Sequence, residues 1–183
     1  YLEAIEIKVR ILGKDDPSYA AILNNLAILY KDMGNYEKAE RYYLESIAIR
    51  EKVLGKDHPY YAVSLNNLAE LYWKMNDFQK AEAFYLEAKT IQEEVLGKEH
   101  PNYAVTLNNL ALIYMHNNNY EKAEIFYLES KSIRENALGK SHPSYATSLI
   151  NLADVYILQK DYAKAEQLFL ESKSILENVV GKE

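Results

Sequence analysis

Apolar residues recur along this chain at helical spacing, and the helical segments recur at a constant interval. One kind of segment carries leucine, leucine, alanine and tyrosine at i, i+3, i+4 and i+7, which places the four side chains on one helical face and predicts that this face is buried. The four sets are Leu23, Leu26, Ala27, Tyr30; Leu65, Leu68, Ala69, Tyr72; Leu107, Leu110, Ala111, Tyr114; and Leu149, Leu152, Ala153, Tyr156.

A second helix is predicted after each of these segments, beyond a short turn. Turns this short force antiparallel neighbours, so each unit should be a helical hairpin. Glycine and asparagine tolerate the left-handed backbone of such a turn more readily than lysine does. The turn residues are Gly34, Asn76, Asn118 and Lys160. The predicted core sets of the second helices are Tyr36, Ala39, Tyr43, Ser46; Phe78, Ala81, Tyr85, Ala88; Tyr120, Ala123, Tyr127, Ser130; and Tyr162, Ala165, Phe169, Ser172.

A stretch of the type Leu54-Gly55-Lys56-Asp57-His58-Pro59 separates successive hairpins. Its glycines lie at 13, 55, 97, 139 and 181, so the period is 42 residues, and a constant period indicates stacked repeats. Glycine is predicted to close one helix in the left-handed conformation, and proline to begin the next. The residue before proline is predicted to cap that helix, because a neutral imidazole accepts a hydrogen bond as a carboxylate does. The four cap residues are Asp16, His58, His100 and His142.

The period divides the chain into part of one unit and four further units. We expect an all-α, right-handed superhelical solenoid of antiparallel helix pairs, with about nine helices in one array. Tyr1-Leu2-Glu3 aligns with Tyr43-Leu44-Glu45, so the chain opens inside a unit and is expected to be a piece of a longer protein. The predicted boundaries are 1–17 for the second helix and turn of a truncated repeat, then 18–59, 60–101, 102–143, and 144–183, truncated at its turn.

The pattern of large, small and aromatic positions resembles the tetratricopeptide repeat. Leu65, Leu68, Ala69 and Tyr72, followed by Phe78, Ala81, Tyr85 and Ala88, match that repeat, and nearly all of these positions match in every unit. The usual period of the family is ~34 residues. The longer form with Leu-Asn-Asn-Leu-Ala is similar to repeats of kinesin light chain and nephrocystin, and to bacterial arrays joined to effector domains. The resemblance implies a concave groove that holds a peptide or a partner protein.

Composition excludes several classes of function. A formal charge of −6 argues against nucleic acid as the main partner, and no run approaches the ~18 apolar residues of a membrane span. The chain has no cysteine, which fits a reducing compartment, and we expect a cytoplasmic location.

No phosphate loop, His-Glu-x-x-His pair or nucleophile with a base is present, so we predict neither an enzyme nor a cofactor. Repeats roughly 10 Å apart cannot share one ion through the aligned histidines, so no metal site is predicted.

The side of each first helix opposite its buried face is the predicted partner-binding surface. Asparagine recurs there at 25, 67, 109 and 151, and its amide offers the donor and the acceptor that one peptide group needs. The alternative is that these asparagines brace neighbouring helices. The candidate binding residues are Asn25, Ile28, Val63, Asn66, Asn67, Glu70, Trp73, Lys74, Val105, Asn108, Asn109, Leu112, Met115, His116, Asn151 and Asp154.

The character of this surface suggests the kind of ligand. Ala21, Val63, Val105 and Thr147 accompany the asparagines, so the first helices offer no cation for a bidentate grip on a carboxylate. We therefore predict that the protein is a scaffold that binds an internal, extended and partly apolar segment. Additional repeats or crystal contacts could instead cover the apolar positions.

Two alternative functions remain open. The chain could be a regulatory arm of a larger protease or ATPase, or a module for end-to-end self-association. The last predicted helix favours self-association and fraying at its end, because it carries apolar residues and no polar capping helix follows it. Those residues are Leu168, Leu170, Ile175, Leu176 and Val179.

Overall fold

A computed structural model describes Gly13 and residues 15–180, and all regular elements of this part of the chain are α-helices. The helix predicted within residues 1–12 lies outside the described residues. The helices are α1 (Pro17–Asp32), α2 (Tyr36–Leu54), α3 (Pro59–Lys74), α4 (Phe78–Val95), α5 (Pro101–His116), α6 (Tyr120–Leu138), α7 (Pro143–Leu158) and α8 (Tyr162–Val180).

The chain divides into two compact units, residues 1–95 and 96–183. In the first unit, α1 pairs with α2, α3 pairs with α4, and α2 packs against α3. In the second unit, α5 pairs with α6, α7 pairs with α8, and α6 packs against α7. The pairs are joined by the short turns that the sequence predicts, so the four helical hairpins are confirmed.

The starts of the first helices have the predicted caps. Proline occupies the first turn of each, and the side chain before it accepts a hydrogen bond from the backbone N–H two residues later. The Oδ1 atom of Asp16 accepts from Ser18 at 2.7 Å. The Nδ1 atoms of His58, His100 and His142 accept at 3.1 Å, which requires the neutral imidazole with its proton on Nε2. The histidines therefore act as helix caps.

Positive φ angles mark both kinds of connection. The turn within each hairpin has a φ of 75° at Gly34, 61° at Asn76, 58° at Asn118 and 64° at Lys160, as predicted. The connection between hairpins differs from the prediction in one angle. Gly55 has φ 86° and ψ 163°, so the backbone after α2 is extended and does not continue the turn. Only glycine adopts this combination readily, and its N–H still donates to the carbonyl oxygen of Glu51.

The core lies where the periodicity places it. The alanines of the first helices, at 27, 69, 111 and 153, have no exposed surface, and the leucines beside them are buried. Serines of the second helices close the contact within three hairpins: Ser46 Oγ donates to the Ala20 carbonyl at 2.7 Å, Ser130 Oγ to the Ala104 carbonyl at 2.8 Å, and Ser172 Oγ to the Ala146 carbonyl at 3.2 Å. Each hairpin therefore combines close apolar packing with a buried hydrogen bond or an alanine in its place.

Two predicted core residues of α8 are instead exposed. Phe169 is 36% exposed, whereas the equivalent Tyr43 and Tyr127 are buried. Tyr162 is 64% exposed, whereas its equivalents at 36, 78 and 120 are half-buried. The reason is the neighbouring helix: α3 packs on α2 and α7 packs on α6, but no described helix follows α8. The repeat pattern identifies the face that can be buried, and the presence of the next helix decides whether it is.

Replacing Lys160 by asparagine should stabilise the protein. A left-handed backbone costs an L-residue about 1–2 kcal/mol, and asparagine reduces this cost through local hydrogen bonds. We expect Lys160→Asn to raise the free energy of unfolding by about 1 kcal/mol, measured by urea denaturation. The reciprocal change Asn118→Lys should lower it by a similar amount. As a control for charge, Lys160→Ala keeps the Cβ strain and should gain little; an equal gain from alanine would contradict this explanation.

Candidate partner-binding face

The predicted binding surface lies on the outward sides of α1 and α3 in the first unit and of α5 and α7 in the second. In each unit we call it the asparagine face, after the residues at 25 and 67 or at 109 and 151. Asn25 is exposed, and the other three asparagines are half-buried. Of the charged or titratable candidates, Lys74, His116 and Asp154 are exposed, and Glu70 is half-buried. None of the candidates on this face belongs to the buried core, so all of them have some accessible surface.

Two asparagines of the row are bonded to a neighbouring first helix. Asn67 Nδ2 donates to Asn24 Oδ1 at 3.0 Å, and Asn151 Nδ2 donates to Asn108 Oδ1 at 2.7 Å. These bonds show that asparagines brace helices within each unit. In the described residues, the carbonyl oxygen and the second N–H of Asn67 have no protein partner, and the same holds for Asn151. Bracing therefore leaves part of each amide open.

The flanking asparagines have structural contacts as well. Asn24, which is absent from the predicted site, is buried and accepts the bond from Asn67. Asn66 donates to the carbonyl oxygen of Ala62 in its own helix at 3.4 Å. The row that sequence spacing identifies thus consists of pairs, with one asparagine outward and one turned toward the next first helix.

Apolar side chains of the asparagine face differ in their accessibility. Val105 and Leu112 are exposed, as are Ile157 and Leu158 beyond the candidate list. The remaining apolar candidates, Ile28, Val63, Trp73 and Met115, are half-buried. Contact with other helices therefore covers part of the predicted apolar surface, and among the apolar candidates the α5 residues Val105 and Leu112 are the most accessible.

The two units differ in the charges on this face. In the first unit, Lys31 Nζ lies 2.6 Å from Glu70 Oε1, which joins α1 to α3. In the second unit, Asp154 forms no hydrogen bond or ion pair with any described residue. Burial raises the pKa of the Asp154 carboxyl above its ordinary value, because removing water disfavours the charged form.

A buried arginine that the sequence interpretation missed lies beside the asparagine face. Arg50, near the end of α2, is only 6% exposed; its Nη1 donates to the Tyr60 carbonyl at 2.7 Å and to Ser64 Oγ. It forms no ion pair with a carboxylate of the described residues, and burial lowers the pKa of its guanidinium. A cavity of about 480 Å³ opens beside it, lined by Pro17, Ser18, Ala21, Arg50, Leu54 and Tyr60.

The second unit repeats this arrangement. Arg134 Nη1 donates to the Ser144 carbonyl at 3.2 Å and to Ser148 Oγ at 2.9 Å, and burial lowers its pKa. The first helices offer no cation next to Ala21, but a second helix places Arg50 at the cavity that Ala21 lines. The signal in the sequence was the recurrence of arginine at 50 and 134, with Gln92 between them, on the helical face that carries buried residues such as Tyr43 and Ile47.

None of the helices in the described range is long and apolar enough to cross a membrane.

The arrangement of helix pairs also resembles proteins of known structure. BtubC (BKLC) from P. vanneervenii is 28% identical with a TM-score of 0.86, and the match covers 99% of this chain and 72% of that one. Two structures of a kinesin light chain-like protein of Podosopora anserina with nearly identical TPR-like repeats are 26% and 25% identical, with TM-scores of 0.78 and 0.75. Each covers 97% of this chain and 84% of that protein.

Comparison with curated protein sequences found no match. The sequence profile of the tetratricopeptide repeat matches residues 1–52, 18–94 and 103–178. The profile and the similar structures confirm the predicted all-α fold class of helix-pair repeats. Repeats of this kind generally mediate protein–protein interactions, and proteins built from them are typically scaffolds and not enzymes. This chain belongs to the tetratricopeptide repeat family.

Proposed function

We propose that this protein is a scaffold that holds an extended segment of a partner protein along the asparagine face. The observation that carries the proposal is the half-open state of the asparagine amides. Asn67 and Asn151 each use one N–H to brace the neighbouring helix, which holds the amide in a fixed orientation. The free carbonyl oxygen and the second N–H match the donor and the acceptor of one peptide group.

The spacing of the asparagines within a unit suits an extended chain. Packed helices of neighbouring repeats are roughly 10 Å apart, and an extended chain rises about 3.3 Å per residue. One amide such as Asn25 or Asn67 would therefore meet about every third peptide group of a bound segment. Recognition through the backbone is independent of side chains, so the asparagines would fix the path of the segment without selecting its sequence.

Selectivity would come from the residues around the amides. Val105 and Leu112 expose apolar surface that apolar side chains of the partner could cover, at about 25 cal/mol per Å² of area removed from water. The cavity at Arg50 suits an acidic side chain, because a buried guanidinium without a counter-charge is costly and none of the described residues gives Arg50 a carboxylate partner. The favoured segment is internal, partly apolar and acidic at one position.

Self-association is the second candidate, and the surface of α8 favours it. Phe169 and Leu176 are exposed, and they occupy positions that α2 and α4 bury. Contact between two copies through these positions would remove that apolar area from water. A dimer that dissociates on Phe169→Glu would support this function, and a concentration-independent monomer mass would contradict it.

Removing one outward amide should weaken binding more than it weakens the fold. We expect a segment selected by peptide display to bind Asn67→Ala about tenfold less tightly, because two hydrogen bonds to the segment are lost. The bracing bond is lost too, at a cost of about 1 kcal/mol of stability, measured by urea denaturation. The matched control is Asn24→Ala, which removes only the bracing bond. Equal loss of affinity in both variants would show that the asparagines act through the fold alone.

The Arg50 cavity should impose an acidic residue on the bound segment. We expect Arg50→Gln to bind an acid-containing segment about tenfold less tightly and a matched amide-containing segment equally well, measured by calorimetry. Glutamine is the natural residue at the equivalent position 92, so this variant should keep its fold. If peptide display against the unaltered chain selects segments without an enriched acidic position, this would contradict the proposal that the cavity binds an acidic residue.

A further inference from the structure

The two units provide an internal comparison on the asparagine face. The bond from Asn67 to Asn24 recurs 84 residues later as the bond from Asn151 to Asn108. Because the same pair of side chains meets in both places, α5 and α7 pack in the same register as α1 and α3. Where these first helices meet, residues two periods apart therefore have equivalent positions, and differences between them are differences in chemistry.

In the first unit, the carboxylate on this face is neutralised by the protein itself. Lys31 Nζ lies 2.6 Å from Glu70 Oε1, and the side chain of Lys31 is only 10% exposed, whereas that of Glu70 is 43% exposed. The lysine therefore lies along the helices with its ammonium at the carboxylate. Such a contact of an alkyl stem with apolar surface and of a charged tip with a polar partner is usual for lysine.

In the second unit, the acid is retained and the cation is missing. Asp154 is equivalent to Glu70, and Met115 is equivalent to Lys31. Met115 is half-buried and supplies a flexible apolar surface in place of the lysine stem. No described residue forms an ion pair or a hydrogen bond with Asp154, although its carboxyl is partly desolvated. A carboxylate without an ion-pair partner in the chain is open to a cation from outside it.

A second polar group lies close to the same place. The hydroxyl of Tyr127, on α6, is buried and has no hydrogen-bond partner among the described residues. Burial, and after it the charge of Asp154, raises the pKa of this hydroxyl, which shows that the two groups lie within electrostatic reach of each other. The hydroxyl of the equivalent Tyr43 is also buried without a partner among the described residues, with the charge of Glu70 near it, so the missing cation is what distinguishes the surroundings of Asp154.

We propose that Asp154 binds an alkylammonium group, supplied by a lysine side chain of the partner segment, in the place that Lys31 Nζ takes beside Glu70. The aliphatic stem of the ligand lysine packs on Met115. Because Asp154 is one methylene shorter than Glu70, a side chain that enters from outside has more room there. The identity of the ligand as a lysine of a bound segment rests on the function proposed above. The affinity of Asp154 for an alkylammonium group does not.

Titration with n-butylammonium chloride tests the site by itself. The chain has three methionines, Met33, Met75 and Met115, so their methyl resonances in a ¹H–¹³C NMR spectrum form a small set. We expect a saturable shift of the Met115 methyl and none at Met33 or Met75, with n-butanol and sodium chloride as controls for apolar contact and ionic strength. Asp154→Asn should weaken the binding by about fivefold. An absent shift, or an equal one in Asp154→Asn, would overturn the proposal.

A second arm tests the source of the ammonium. Segments selected by display against the unaltered chain should be enriched in lysine at one position, and the enrichment should disappear against Asp154→Asn. It should also disappear against Met115→Lys, which supplies an internal ammonium as the first unit does. Bound segments without this enrichment would overturn the lysine assignment and leave the scaffold function intact. If no segment binds at all, the scaffold function fails, and the butylammonium titration still decides the site.

Discussion

Close packing at one small residue per hairpin is the constraint on which the other features depend. The alanines at 27, 69, 111 and 153 have no exposed surface, so each first helix can approach its second helix closely. This contact determines which side of the first helix is buried, and therefore which side is outward. Buried serines such as Ser46 add a hydrogen bond to the same contact. The asparagine face exists because these small residues orient the helices that carry it.

Repetition separates structural roles from functional ones within a single chain. The bond between Asn67 and Asn24 and its equivalent between Asn151 and Asn108 occur in both units, and such recurrence is expected of an interaction that sets the packing. Features that change between equivalent places are not needed for that packing. The replacement of Lys31 by Met115 is of this kind, since both units keep the same register without it. Variation on a constant framework is how repeat proteins acquire different ligands on one fold.

The fold could be predicted largely from the sequence because its determinants are local. Helical periodicity, proline after a cap residue, and glycine or asparagine in a turn all act within a few residues, and the helix bounds and positive φ angles follow from them. The exceptions depend on what lies further away. Tyr162 and Phe169 have the core pattern but are exposed, because burial of a second helix requires a following first helix. The extended ψ of Gly55 depends on the path of the chain to the next helix.

The sequence by itself determined the repeat, the hairpins and the side of the first helices on which the asparagines lie. Only the tertiary structure decided that Asn67 braces Asn24, that Arg50 reaches a cavity beside Ala21, and that Asp154 lacks the partner that Glu70 has. These contacts join residues tens of positions apart on different helices. Their existence depends on the distance and register between packed helices, and a periodic pattern within one helix carries no information about either.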